Sequence, residues 1–294
     1  MKNSHLKQLE SEAIYIIRET HASFKNPVLL YSIGKDSSVM VRLCQKAFYP
    51  GKIPFPLMHI DTGFKFKEMY KFRDKFISEN NLKLIVHVNG MALAKKCNPH
   101  DYGTDNCCYR LKTQALLEGI RENEFDAAFG GARREEEKSR AKERVFSVRD
   151  KNGQWDPKNQ KPELWNLYNT FLKEGETMRV FPLSNWTEID VWGYIKEEEI
   201  PVVPLYFAKK RKMTRQKNGI LIPSDSWDKN AKEIMCRFRS LGCSPCTGAI
   251  ESTAETLDDI IEELKVFNRS ERENRLIDLS GDSAMEDKKR EGYF

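Results

Sequence analysis

Four short apolar runs punctuate the first 130 residues of the chain, at 28–31, 55–60, 82–88 and 125–129, and the stretches between them carry apolar residues at helical spacing. Val39, Met40, Leu43, Cys44 and Ala47 mark one such helix; Phe66, Met69, Tyr70, Phe76 and Ile77 mark a second; a third is expected over 111–120. Apolar strands that alternate with amphipathic helices bury both faces only in a sheet covered on each side, and connections of this length suit parallel strands, which need a crossover. The expected fold class is therefore α/β: a Rossmann-like parallel sheet with helices on both faces.

At 294 residues the chain allows one large domain or two ordinary ones. An opening helix over 6–24 stops at Asn26-Pro27, because proline disfavours helical geometry in the residue before it. Residues 150–177 hold Asn152-Gly153, Asp156-Pro157 and Lys161-Pro162 and read as a surface excursion. A strand is expected over 179–183, and Thr187 and Asp190 offer a capping box for the helix after it. Beyond Pro201 the pattern loosens. A basic segment at 209–217 and a hairpin over 219–227 read as an extension of the first unit, which gives a division into residues 1–200 and 201–294. No stretch approaches the roughly 18 apolar residues of a membrane helix, and the start is too charged for a secretory signal, so a cytoplasmic protein is expected.

The net charge of +5 is uneven. Residues 133–144 hold six basic and four acidic side chains, and residues 209–217 hold six basic and none acidic. A near-neutral body with two anion-attracting zones suits small anionic substrates better than a nucleic acid. An RNA-binding module using the 209–217 patch is the non-catalytic alternative.

The segment Ser32-Ile33-Gly34-Lys35-Asp36-Ser37-Ser38 follows the first strand and opens a helix. Backbone amides and a helix N-terminus then point at one place, which makes an anion site. Gly34 permits close approach of phosphate oxygens, Lys35 supplies charge, and the Ser32 and Ser37 hydroxyls can donate; the blander use of Asp36 or Ser37 is to cap the helix. A Walker A loop is excluded, because Asp36 stands where that motif has Ser or Thr. Asp61-Thr62-Gly63, Gly130-Gly131 and Pro182-Leu183 also follow expected strands, where open sheets bind ligands.

Tyr31 to Ser38 resembles the PP-loop of the N-type ATP pyrophosphatases. With His59-Ile60-Asp61-Thr62-Gly63, the Arg-rich block at 130–140, Trp155-Asp156-Pro157, the block at 179–188 and the ending at 289–294, the chain is similar to the small, catalytic subunits of two-subunit bacterial sulfate adenylyltransferases. The resemblance implies an adenine-nucleotide α-hydrolase fold, with residues 1–200 as the catalytic domain and 201–294 packing on it and contacting the partner. It also implies that sulfate attacks the α-phosphorus of ATP, releasing pyrophosphate. ATP and Mg²⁺ are expected at Ser32, Gly34, Lys35, Asp36, Ser37, Ser38, Asp61, Gly130 and Gly131. Lys35, Arg133 and Arg134 are the expected catalytic residues, with Lys138 and Arg140 as further candidates for sulfate, while most of 135–144 reads as a solvated helical face. The implied partner is a GTP-hydrolysing large subunit.

The chain departs from that family in its cysteines. Cys107-Cys108 and Cys243-Ser244-Pro245-Cys246 form a CC…CxxC pattern similar to that of the iron–sulfur adenylyl-sulfate reductases. Four thiolates can hold a [4Fe–4S] cluster or a zinc ion, and the plain alternative is inert thiols. Cys44, Cys97 and Cys236 read as structural. A reductase that cleaves adenylyl sulfate is the rival activity, but such enzymes need a nucleophilic cysteine near the C-terminus, and residues 247–294 contain none.

Overall fold

A computed structural model describes residues 2–136, 138–216, 218–224, 230–266 and 288–292. The chain opens with α1 (Lys2–Ser23), and Asn26-Pro27 carries it into β1 (Pro27–Leu30). It then alternates through α2 (Lys35–Ala47), β2 (Leu57–Ile60), α3 (Lys67–Glu79) and β3 (Leu84–His87). Three short helices follow: α4 (Gly90–Ala94), α5 (Pro99–Tyr102) and α6 (Thr104–Cys108). A π-helical turn over Tyr109–Gln114 joins the last of these to α7 (Ala115–Glu122). Next come β4 (Ala127–Phe129), the single turn α8 (Lys138–Ala141), β5 (Phe146–Arg149), β6 (Thr177–Val180) and α9 (Glu188–Glu197).

Six strands form one sheet in the order β3-β2-β1-β4-β6-β5, parallel except at β5. The register sets Leu29 beside Leu57 and Phe129, and Phe129 beside Val180. From β1 the chain winds outward to β2 and β3, then crosses to the other side to form β4. Strand order therefore reverses between β1 and β4, and a crevice opens there at the carboxyl ends of the strands.

The capping box expected at α9 is present. The Asp190 amide donates to Thr187 Oγ1 at 3.1 Å and the Thr187 amide donates to Asp190 Oδ2 at 2.8 Å, an arrangement worth about 1 kcal/mol. The helix expected over 111–120 differs, since its first half is wound as the π turn.

The strand β5 was not expected. Its Phe146 and Arg149 are both buried, and an arginine on the inner side of a strand breaks the apolar alternation by which short strands are recognised. Glu143 accepts from Arg149, and its Oε2 also lies 2.7 Å from Lys289 Nζ. Ser147 Oγ accepts from Arg149 at 2.7 Å and donates to Glu143 at 3.1 Å. Burial opposes the charge on Glu143, but Arg149 and Lys289 outweigh it and hold the carboxyl down at about 2. Burial next to Arg149 depresses Arg179 to about 9. The Lys289 ammonium also lies 5.2 Å from the ring centre of buried Trp155, so the described C-terminal residues are fastened to the sheet by charge.

The basic segment at 209–217 is a strand over most of its length. β7 (Lys209–Arg215) pairs on one side with β8 (Leu221–Pro223) and on the other with β9 (Lys232–Arg237), and β10 (Ile250–Glu251) completes a four-stranded antiparallel sheet. The hairpin expected over 219–227 is displaced: β8, which falls in that range, pairs with the preceding β7, and residues 225–229 and Lys217 lie outside the described residues. Along β7 only Met213 is buried, which is why the segment reads as a charge run. A final helix, α10 (Leu257–Val266), follows. Met213, Leu221 and Cys236 belong to the same core cluster as Leu29, Phe129 and Val180. Among the described residues no helix is long and apolar enough to cross a membrane.

Candidate active site

The first wall of the crevice is the turn after β1. Ile33 has φ +68°, a left-handed conformation that costs a β-branched residue about 1–3 kcal/mol, and its fully buried side chain keeps it there. The turn reverses the chain sharply into α2, whose N-cap is Gly34 with no side-chain cap. Neither Asp36 nor Ser37 is spent on capping. Ser37 Oγ donates to the Gly34 carbonyl at 2.9 Å and receives from Ser32 Oγ at 3.2 Å, while the Lys35 amide donates to the Tyr206 hydroxyl at 2.8 Å.

Asp36 is the electrostatic centre of this wall. Its Oδ1 accepts from Arg133 Nε at 2.8 Å and its Oδ2 lies 3.3 Å from Lys35 Nζ, which is also 3.5 Å from the Arg239 carbonyl. Burial works against the Asp36 carboxylate, but Lys35 and Arg133 overcome it and hold the group below the usual carboxylate range. The turn after β4 closes against it. A Cβ added at Gly131 would come within 2.9 Å of Asp36 Cβ and 3.2 Å of its carbonyl carbon, so only glycine lets these two turns pack.

Between the turns lies a cavity of about 240 Å³. Ser32, Asp36, Ser37, Gly130 and Gly131 line it, as the sequence leads one to expect. Glu136 and Arg140 reach it from the Arg-rich block, with Arg140 Nε 3.5 Å from Glu136 Oε2. The stretch read as a solvated face is mixed: Ser139, Arg140 and Glu143 are buried, as is Arg133 ahead of it, whereas Glu135, Ala141 and Lys142 are exposed. The side chain of Lys138 lies outside the described residues.

The remaining expected residues lie around the cavity without lining it. Gly34, Lys35, Ser38 and Arg133 form the layer behind its wall. Asp61 Oδ1 accepts from the Gly63 amide at 2.8 Å and from the Tyr70 hydroxyl at 2.6 Å, which fixes the turn after β2. Arg134 Nη1 donates to Asn185 Oδ1 at 2.6 Å, and its Nη2 lies 4.0 Å from Glu163, at the protein surface.

Three cavity residues escape a reading of spacing alone. His59 is buried with Nδ1 2.8 Å from the Tyr31 carbonyl; burial, helped by the charge on Lys65, lowers it to about 4, so the ring is neutral with its proton on Nδ1. Its Nε2 is then an acceptor, and it has no partner among the described residues. The motif quoted around Asp61 already contained this histidine. Lys65 and Lys112 also line the cavity, and no pattern marks either: the first sits in an irregular segment, and the second lies in what reads as an ordinary amphipathic helix.

The four expected metal ligands are brought together. Cys107, Cys108, Cys243 and Cys246 line one small pocket with Thr62 and Lys112, so it adjoins the larger cavity through Lys112. Thr62 Oγ1 lies 3.2 Å from Cys243 Sγ. Burial would raise the Cys243 thiol, but Lys112, Lys65 and the hydrogen bond from Thr62 hold it low. Burial and the other cysteines push Cys107 up to about 12. Cys97, read as structural, packs beside Cys107. Among the described residues no three His, Cys, Asp or Glu side chains are already grouped to hold a metal ion.

Comparison with known proteins gives this geometry its family. The profile of the phosphoadenosine phosphosulfate reductase domain matches residues 26–249. "Sulfate adenylyltransferase subunit 2" of Azotobacter vinelandii is 57% identical over 303 aligned residues, covering 100% of this chain and 99% of the relative; the protein of the same name from a Pseudomonas putida strain is 57% identical with the same coverage. Among solved structures, the FMN adenylyltransferase of Candida glabrata in complex with ATP superposes with a TM-score of 0.52 at 17% identity, covering 93% of this chain and 88% of that one, a likeness of fold. The chain therefore belongs to the phosphoadenosine phosphosulfate reductase domain family and, within it, to the sulfate adenylyltransferase subunit 2 proteins.

Proposed function

We propose that the chain transfers the adenylyl group of ATP to sulfate, giving adenylyl sulfate and pyrophosphate, and that its assembly partner is a GTP-hydrolysing large subunit. The observation that carries this reading is the cavity at the β1/β4 crossover, where a phosphate-type turn, a glycine turn and cationic side chains meet. A sulfate oxygen attacks the α-phosphorus; the new S–O–P linkage forms as the bond to the bridging β-oxygen breaks, and the electron pair leaves with pyrophosphate. Sulfate is already an anion, so no side chain need act as nucleophile or base.

The work left to the protein is positioning and charge stabilisation. Ser32 and Ser37 line the cavity and donate to phosphate oxygens. Lys35 and Arg133 fix Asp36 and offset the charge that builds on the leaving group. His59 Nε2 accepts from a hydroxyl of the nucleoside, the donor that a phosphate lacks. Asp36 and Glu136 supply two carboxylates, the number that a Mg²⁺ held mainly by phosphates and water takes; they would hold it there, where it would offset charge on the phosphates. Residues 201–294 serve as the extension that meets the partner, with the exposed basic side chains of β7 as its contact surface.

The cysteine set fits a [4Fe–4S] cluster in kind. Four buried thiols face one pocket, which is the donor set such a cluster takes. Cys107, Cys108, Cys243 and Cys246 would hold it, beside the site rather than in the reaction. Protein purified without oxygen is expected to be brown and to carry about four iron atoms per chain; a colourless, iron-free and fully active preparation would dismiss the cluster. For the activity, the chain with its partner is mixed with ATP, Mg²⁺ and sulfate. Sulfate-dependent pyrophosphate release is expected, whereas sulfite formation from adenylyl sulfate and thiol would transfer the chain to the reductases.

A further inference from the structure

Cationic groups reach the cavity from two directions. On the β1/β4 side Arg140 lines it, with Nε 3.5 Å from Glu136 Oε2, and behind the wall Arg133 has Nε committed to Asp36 and Nη1 3.3 Å from Glu135. On the β2/β3 side stand Lys65, beyond the end of β2, and Lys112, in the turn that precedes α7. Each is fixed by its backbone. Lys65 forms an isolated antiparallel bridge with Cys243, reinforced by the Ser244 amide donating to the Phe64 carbonyl at 2.7 Å. Lys112 belongs to the π turn, whose wider winding alters the angular spacing of side chains, and Thr113 beside it lines the same cavity.

Both lysines line the cavity; Lys65 is bridged through its backbone to Cys243, and Lys112 lines the cysteine pocket together with Cys243. The two lysines therefore converge from separate elements where the cavity borders the cysteine pocket. Two positive charges there match a dianion in number, and flexible stems suit a tetrahedral oxyanion, which has no planar fork to recognise. Arg134, held by Asn185 and Glu163 at the surface, does not reach the cavity.

We propose that Lys65 and Lys112 form the sulfate subsite, holding the attacking anion, while Arg133 acts as a positioning residue for Asp36. The assignment rests on the adenylyl-transfer reading of the same cavity. It places sulfate at the β2/β3 side and leaves the β1/β4 turns to the triphosphate, so the two anions are held by separate sets of charges.

The test uses the chain assembled with its partner subunit, with Lys65→Gln, Lys112→Gln and the charge-keeping Lys112→Arg. Steady-state pyrophosphate release gives KM for sulfate, and calorimetry with a non-hydrolysable ATP analogue gives nucleotide affinity. Each glutamine variant is expected to raise the sulfate KM by about 10- to 150-fold, the equivalent of one charge-assisted hydrogen bond, with ATP-analogue affinity within about threefold. Lys112→Arg is expected to recover part of the loss. An unchanged sulfate KM in both glutamine variants would overturn the subsite while leaving the activity intact, as would an equal loss of nucleotide affinity. A wild-type assembly without sulfate-dependent pyrophosphate release would instead overturn the activity on which the subsite rests.

Discussion

Lys35→Ala is expected to lower kcat by about 10²- to 10³-fold while leaving the fold intact. The ammonium does not line the cavity; it stands behind the wall, buried, 3.3 Å from Asp36 Oδ2. Its removal takes one fixed positive charge from beside the place where charge builds on the leaving pyrophosphate, in a site too enclosed for water to replace it. Asp36 keeps Arg133 as a partner at 2.8 Å, so the carboxylate is not stranded and α2 remains seated. Kinetics of the assembled enzyme alongside a thermal melt check both halves. Near-wild-type turnover in a folded variant would remove Lys35 from the mechanism.

The largest stability effect is expected far from the crevice. Glu143→Gln should destabilise the protein by about 3–5 kcal/mol, because it removes a buried carboxylate that faces both Arg149 and Lys289 in the interior. For a chain of this size that is on the order of a 10 °C fall in melting temperature. The same group sets part of the acid limit. Its carboxyl lies at about 2 in the folded protein against 4.5 when unperturbed, so its contribution is complete above pH 4.5 and is lost as the pH falls from there toward 2. Glu143→Gln should therefore flatten the acid side of a stability profile measured by denaturant melts at several pH values. A variant that melts with the wild type would show that the charges there are paired by other groups.

The parallel half of the sheet was legible because its strands obey the rule by which strands are found. β1, β2 and β4 are apolar runs bounded by glycine, proline or aspartate, and their helices carry a regular stripe. β5 and β7 were not, for opposite reasons. β5 turns an arginine inward to meet Glu143, which hides a buried strand behind a charge; β7 turns basic side chains outward on a strand with only Met213 buried, which makes a paired strand look like a loop. In both cases partners farther along the chain decide the structure, Thr177 to Val180 for β5 and Cys236 to Lys232 for β7.

The site divides in the same way. The Ser32–Ser38 turn and Gly130-Gly131 can be picked out because their residue types are needed locally, by a sharp turn and by the close approach to Asp36. The convergence of Cys107 and Cys108 with Cys243 and Cys246 is foreshadowed by their paired spacing. Lys65 and Lys112 carry no such mark. A lysine is ordinary on any helix or loop, and what distinguishes these two is a bridge to Cys243 and a π turn, neither of which leaves a trace in spacing. Arg133 and Arg134 show the converse, since adjacent arginines in one motif point to different surroundings: one braces Asp36 inside and the other reaches Asn185 at the surface.

The claim on which everything else stands is that the β1/β4 crossover holds the triphosphate of ATP. Crystals of the assembly grown with a non-hydrolysable ATP analogue and Mg²⁺ test it most directly. The phosphates are expected against Ser32, Ser37 and Gly131, with the nucleoside within hydrogen-bonding reach of His59. An analogue seated away from those turns, with the 240 Å³ cavity left to solvent, would contradict the account.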